Sequence, residues 1–103
     1  MVYIVDIDGT ICSSTDSKYE EAEPIQSRIE YFNKLYEEGH VIMYWTARGM
    51  GRFKGNKQKA ISAFYAFTEK QLKGWNVKYS ELRLGKPSYD FWVDDKALML
   101  QDI

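Results

Sequence analysis

The chain has 103 residues, of which 45% are hydrophobic and 28% are charged. This balance excludes a disordered or membrane-embedded chain, and the length suits one domain, residues 1–103, with one core. The net charge of -1 gives no general attraction to nucleic acid or anionic membranes. With one cysteine, no leader-like segment and no long apolar stretch, we expect a cytoplasmic protein without an intramolecular disulfide.

The first half of the chain predicts a strand, a helix and a second strand. Residues 2–7 form a short apolar run that is typical of a strand buried on both faces. Residues 13–23 are polar and indicate a loop. Apolar residues then recur at helical spacing from Ile25 to a stop signal at Gly39, and the run 41–45 indicates the second strand.

The second half predicts one more helix, two strands and a short closing helix. A glycine-rich basic loop leads to Asn56, a plausible N-cap for a helix that ends near Gly74. Residues 77–84 and 89–93 are interpreted as strands, and residues 96–100 as the closing helix.

This order of elements predicts an α/β fold. It favours a Rossmann-like, mostly parallel sheet of about four strands, in the order 3-2-1-4, with helices on its faces. Ligands of such sheets bind beyond the carboxyl ends of the strands. Asp6, Thr46 and Asp94 each fall at such an end, so three distant segments are expected to converge on one site.

Four short motifs, in order, resemble those of the haloacid dehalogenase superfamily of phosphohydrolases. They are DIDGT at residues 6–10, YWTARG with Thr46, GKP with Lys86, and VDD with Asp94 and Asp95. Within that superfamily the chain is most similar to small phosphatases of capsule and surface-sugar biosynthesis in bacteria or phages. The resemblance implies a minimal member without a cap domain, because neither inter-motif segment has room for one.

The residue types suit a phosphomonoesterase. Asp6 is the candidate nucleophile, since a carboxylate can form an aspartyl phosphate that water later cleaves. Asp8 is the candidate general acid and base, and Gly9 permits the turn that brings it to the site. Thr46 would donate to a phosphoryl oxygen, and Lys86 would neutralise negative charge. The resemblance further implies that residues at two turns touch the substrate: Gly9, Thr10, Ala47 and Arg48.

Magnesium offsets the repulsion between the clustered carboxylates in this interpretation. It prefers about six oxygen ligands and often keeps several waters beside one or two carboxylates. Asp6 and Asp94 are the predicted carboxylate ligands, the family pattern adds the Asp8 carbonyl, and Asp95 would bind through water or orient a ligand.

Several alternatives stay open at this stage. The substrate is a sugar phosphate by resemblance, whereas a nucleotide or polynucleotide phosphate end is an alternative favoured by the basic loop, residues 48–59. That loop equally fits a solvated surface. A receiver-like phosphoacceptor domain and a non-catalytic interaction module are the alternatives from other classes. Without a cap the site is expected to be open, so a large phosphorylated substrate, the 11–23 segment or a second subunit would have to exclude water.

Overall fold

The computed structural model describes all 103 residues and contains one three-stranded parallel sheet, in the order β1-β2-β3. Two helices connect the strands, and two short 3-10 turns lie outside them. The elements are β1 (Val2–Val5), a 3-10 turn (Tyr19–Glu21), α1 (Gln26–Glu37), β2 (Val41–Thr46), α2 (Lys57–Gly74), β3 (Glu81–Leu84) and a second 3-10 turn (Leu100–Asp102). Neither helix combines the length and apolar composition needed to cross a membrane.

The predicted helix signals are confirmed at both helices. Asn56 caps α2, since its side chain accepts a hydrogen bond from the Lys59 backbone N–H at 3.1 Å. Gly39 follows α1 with φ +94, a conformation that glycine adopts without steric cost, and turns the chain into β2.

The core lies on one face of the sheet. Alternate strand residues, such as Ile42 and Tyr44, point into it and are fully buried. Both helices supply its other wall, with Ile29 and Phe32 from α1 and Leu72 from α2. The strands therefore alternate between buried and exposed residues, and the prediction that β1 is buried on both faces is wrong.

The opposite face, here called the open face, is apolar but exposed. Val2 and Ile4 of β1 are 65% and 61% exposed, and the neighbouring Val41 is 41% exposed. The parallel register places Val2 beside Val41 and Ile4 beside Met43, so these side chains form one patch. Both helices pack on the other side.

The predicted fourth strand is absent, which corrects the order 3-2-1-4. The strand order 3-2-1 and its parallel direction are confirmed. Residues 89–93 form no ladder and are exposed, with Phe91 at 88% and Val93 at 95%. The closing helix predicted at residues 96–100 is likewise replaced by the turn at residues 100–102. A parallel neighbour of β1 needs a crossover of about a dozen residues, whereas only four separate Leu84 from Tyr89.

Candidate functional site

Asp6 and Lys86 meet at the carboxyl end of the sheet. Asp6 directly follows β1, and Lys86 follows β3 by two residues. The Lys86 Nζ lies 3.8 Å from the Asp6 Oδ1. Both side chains line a cavity of about 310 Å³, together with Ala47, Pro87, Ser88 and Tyr89. A larger depression of about 670 Å³ lies against α2 and residues 76–79, but contains none of the predicted catalytic residues.

Lys86 is held in place by its backbone and by two aromatic rings. Its N–H donates to the Thr46 carbonyl at 3.2 Å, which ties β3 to the end of β2. The ammonium group lies 5.0 Å from the ring centroid of Tyr89 and 5.4 Å from that of Trp92. Because Lys86 is only 8% exposed, its charge acts at short range on the cavity.

Burial raises the pKa of the Asp6 carboxyl above its ordinary value of 3.8. The positive charge of Lys86 and the backbone N–H of Ile7 oppose this increase, while the charge of Asp8 adds to it. The carboxylate is thus partly desolvated, which favours its use as a nucleophile once it is ionised.

The turn after Asp6 brings Asp8 back toward the sheet. Gly9 has φ +82, and its N–H donates to the Cys12 carbonyl at 2.9 Å. The Thr10 N–H donates to the Ile7 carbonyl at 3.0 Å, which closes the turn. Gly9 is exposed and Thr10 is partly buried. The predicted role of Gly9 in forming a tight turn agrees with this geometry.

Asp8 forms a two-point ion pair with Arg48. The Arg48 Nε and Nη2 donate to the two Asp8 carboxylate oxygens, each at 2.9 Å. The Arg48 side chain is fully buried, whereas that of Asp8 keeps 24% of its exposure. Asp8 and Arg48 are absent from the lining of the cavity that contains Asp6. The side chain of Arg48, which is predicted to touch the substrate, thus contacts the predicted acid–base residue Asp8.

Three residues that the sequence did not assign to the site hold Arg48. The Arg48 Nη1 donates to the Gln71 Oε1 at 2.7 Å and to the Thr68 hydroxyl at 3.3 Å, both on α2. The guanidinium also lies 4.8 Å from the ring centroid of Tyr19, whose hydroxyl accepts the Gly49 N–H at 3.0 Å. The sequence contains one weak signal for this network, which is the presence of Thr68 on the otherwise apolar face of α2.

Burial also raises the pKa of the Cys12 thiol, to about 12, and the Asp8 charge contributes. The thiol donates weakly to the Asp8 Oδ1 at 3.5 Å. At neutral pH Cys12 is therefore a protonated, packed side chain and not a reactive thiolate.

The loop after β2 places Thr46 and Ala47 differently. Thr46 is 1% exposed, and its hydroxyl oxygen accepts the Arg48 N–H at 3.2 Å, which leaves its own O–H free to donate. Ala47 lines the cavity with Asp6. The loop thus connects the Asp6 cavity to the Asp8–Arg48 pair.

Asp94 and Asp95 lie on the exposed C-terminal segment, defined here as residues 89–103. The Asp94 Oδ1 accepts the Lys96 N–H at 2.9 Å, and this hydrogen bond lowers the pKa of Asp94. No three His, Cys, Asp or Glu side chains in the chain lie close enough together to hold a metal ion. One chain alone therefore does not assemble the donor set predicted for magnesium from Asp6, Asp8, Asp94 and Asp95.

The basic segment, residues 48–59, divides into an inner part and an outer part of lysines, of which Lys57 and Lys59 lie in the first turn of α2. Arg52 lies 5.0 Å from the Phe64 ring centroid and donates to the Ser17 carbonyl at 3.4 Å. Lys54, Lys57 and Lys59 are exposed. The outer lysines are thus available to an anionic ligand.

No protein-family model and no curated protein matches this chain. It is similar to a target protein from Vibrio cholerae of known crystal structure, with 30% sequence identity and a TM-score of 0.89. The match covers 97% of this chain and 84% of the other, so it includes most of the C-terminal segment. The name of that protein states no activity. This chain belongs to the same family as the Vibrio cholerae protein.

Proposed function

We propose that this protein is a phosphomonoesterase that works through an aspartyl phosphate on Asp6. The observation that carries the proposal is the position of Asp6 at a strand end, facing a cavity beside the buried ammonium group of Lys86. A carboxylate beside a fixed positive charge suits in-line attack on a phosphoryl group. The DIDGT motif and the three later motifs give the same assignment by resemblance.

The reaction has two steps. In the first, an Asp6 oxygen attacks phosphorus, the bond from phosphorus to the ester oxygen breaks, and the leaving oxygen takes a proton from Asp8. In the second, water attacks the aspartyl phosphate and gives a proton back to Asp8, which releases phosphate and restores both carboxyl groups. Lys86 stabilises the negative charge of the phosphoryl oxygens, and the free O–H of Thr46 is the proposed donor to one of them.

Asp8 is the proposed proton carrier, and its pairing with Arg48 fixes its orientation. A guanidinium in two-point contact holds the carboxylate in one orientation. In the proposed role, Asp8 gives a proton to the leaving oxygen in the first step and accepts one from the attacking water in the second. We expect Asp8→Asn to lose less activity on aryl phosphates, whose phenolate leaves without protonation, than on alkyl phosphates.

Magnesium is part of the proposal, although the donors in one chain are too few for the predicted site. A divalent ion would offset the charge of Asp6 and the substrate.

The test is hydrolysis of an aryl phosphate and a panel of sugar phosphates, with and without magnesium and a chelator. Asp6→Asn keeps the shape of the side chain and removes the nucleophile, so activity is expected to fall by at least about 10³-fold. Asp102→Asn, an exposed carboxylate in the last turn, is the matched control and should leave activity unchanged. Wild-type turnover by Asp6→Asn would refute the proposal.

Phosphate ends of nucleotides or polynucleotides are a second candidate substrate class. The exposed lysines in the outer part of the basic segment, Lys54, Lys57 and Lys59, favour it. If they bind a phosphate backbone, the triple Lys→Gln variant should raise KM for a 3′-phosphorylated oligonucleotide and leave KM for a sugar phosphate unchanged.

A further inference from the structure

The open face and the outer edge of β1 are incompletely covered in one chain. Parallel sheets occur almost only with both faces covered, yet Val2 and Ile4 are more than 60% exposed. β1 is also an edge strand, so one side of its backbone can pair with another strand. Both features indicate a docking surface.

The C-terminal segment has the complementary composition. Its exposed apolar residues include Phe91, Val93, Leu98 and Met99, at 88%, 95%, 62% and 58% exposure. Within its own chain its ring contacts include Trp92 against Trp45, with centroids 6.3 Å apart. An apolar segment this exposed is typical of an interaction element.

The segment cannot reach the free edge of β1 in its own chain with a parallel direction. That edge lies on the far side of β1 and β2 from β3. Running from the end of β3 to the start of a parallel neighbour of β1 requires about 20 Å in a straight line through the sheet. The five Cα-to-Cα steps from Leu84 to Tyr89 span at most about 18 Å when fully extended, with no length left to pass around the sheet. A segment from another molecule has no such restriction.

We propose that two copies of this chain exchange their C-terminal segments, so that residues 89–93 of each pair in parallel with β1 of the other. The exchange completes the sheet by the mechanism of domain swapping. Tyr89 and Trp92 give up their contacts with Lys86 of their own chain, while the Lys86 ion pair with Asp6 and its backbone bond to Thr46 are kept. It brings the partner subunit's Asp94 to the carboxyl end of β1, beside Asp6. Each site then has the carboxylates that a single chain does not assemble. This inference rests on the proposed function for the role of Asp94, but not for the exchange itself.

The register follows from that placement. If position 94 lies beside position 6, then position 90 lies beside Val2 and position 92 beside Ile4. The Ile4 side chain points to the open face, so the ring at position 92 would cover that face. The side chain at position 93 would then turn toward the core with Val5.

Cross-linking tests the exchange without any enzymatic activity. Chains carrying Val2→Cys are mixed with chains carrying Asp90→Cys, unfolded, refolded together and oxidised mildly. A disulfide-linked dimer is expected, whereas the control pair Val2→Cys with Lys70→Cys on α2 should give none. Native Cys12 is buried with a raised pKa, so it should not interfere. A chain carrying both Val2→Cys and Asp90→Cys that forms only an intrachain bond would overturn the proposal.

A single substitution gives a second measurement on the folded protein. Val93 is 95% exposed in one chain, so Val93→Asp should not affect an isolated monomer. In the exchanged dimer it buries a charge, and we expect dimer affinity to fall at least about tenfold by analytical ultracentrifugation. Ile61→Asp on α2, 42% exposed, is the control and should leave affinity unchanged. A wild-type protein that stays monomeric at all concentrations would overturn the proposal.

Complementation separates the exchange from the proposed function. Asp6→Asn and Asp94→Asn homodimers should both be inactive, while co-refolded mixtures should recover about a quarter of wild-type activity, because random pairing gives half heterodimers with one intact site each. Recovery near zero with an active wild type would refute the shared site. An inactive wild type that still gives the cross-linked dimer would refute the proposed function and leave the exchange intact.

Discussion

Removing the guanidinium of Arg48 tests most strongly how the site is held together. Arg48→Met keeps most of the side-chain volume and removes the guanidinium. The carboxylate of Asp8 then loses two charge-assisted hydrogen bonds, and the acceptors on Thr68 and Gln71 lose their donor. Removing one partner of a buried pair costs about 3–5 kcal/mol. Because Asp8 keeps 24% exposure, water can replace part of the loss, and we expect a decrease of about 3 kcal/mol in the free energy of unfolding.

Urea unfolding at a fixed protein concentration measures this change, since self-association would make stability depend on concentration. Arg83→Met is the matched control: Arg83 pairs with Glu81 at 3.2 Å, but both side chains are about half exposed. Such a pair is worth at most about 1 kcal/mol. A double-mutant cycle with Asp8→Asn should give a coupling of about 2 kcal/mol. A loss for Arg48→Met no larger than that of Arg83→Met would refute the reasoning.

Three further predictions concern the backbone, the charge and the nucleophile of the site. Gly49→Ala should destabilise the folded protein by about 2 kcal/mol or more, because Gly49 has φ +83 and an added Cβ would lie 2.7 Å from the Phe64 ring. Gly74→Ala is the control: an added Cβ there meets open space, so the substitution should be neutral or stabilising in the same thermal unfolding assay. Lys86→Gln should reduce kcat/KM by at least about 10²-fold without unfolding the protein, as checked by circular dichroism. Asp6→Asn should be more stable than the wild type at neutral pH. Because the pKa of Asp6 is raised in the folded state, wild-type stability falls as the pH rises from 3.8 through the folded-state pKa. The stability difference between Asp6→Asn and the wild type should therefore vanish below pH 3.8, as measured by urea unfolding at several pH values.

The local patterns of the sequence were sufficient for the three observed strands, both helices and their order. Helical spacing, the Asn56 cap and the Gly39 stop are short-range signals, and each is confirmed. Strands β1 and β3 were predicted too long. The observed β1 ends at Val5 and not at residue 7, and the observed β3 begins at Glu81 and not at residue 77.

The fourth strand was predicted wrongly because the local sequence pattern indicates a strand, whereas the length of the connection to β3 decides whether that strand can pair with β1. Residues 89–93 have the composition of a strand, but the connection of four residues forbids a parallel pairing with β1 in the same chain. The burial of Arg48 was missed for a related reason. Its partner Asp8 lies 40 residues away, and a basic residue in a basic loop gives no sign of a buried partner.

The central claim is that Asp6 becomes phosphorylated during turnover, and reductive trapping measures this directly. Protein incubated with an aryl phosphate and magnesium is quenched in acid and treated with borohydride, which converts an aspartyl phosphate to homoserine. Peptide mass spectrometry is expected to find homoserine at position 6 and at no other aspartate. Turnover by the wild type without any trapped product at position 6, or with the product at another residue, would contradict the account.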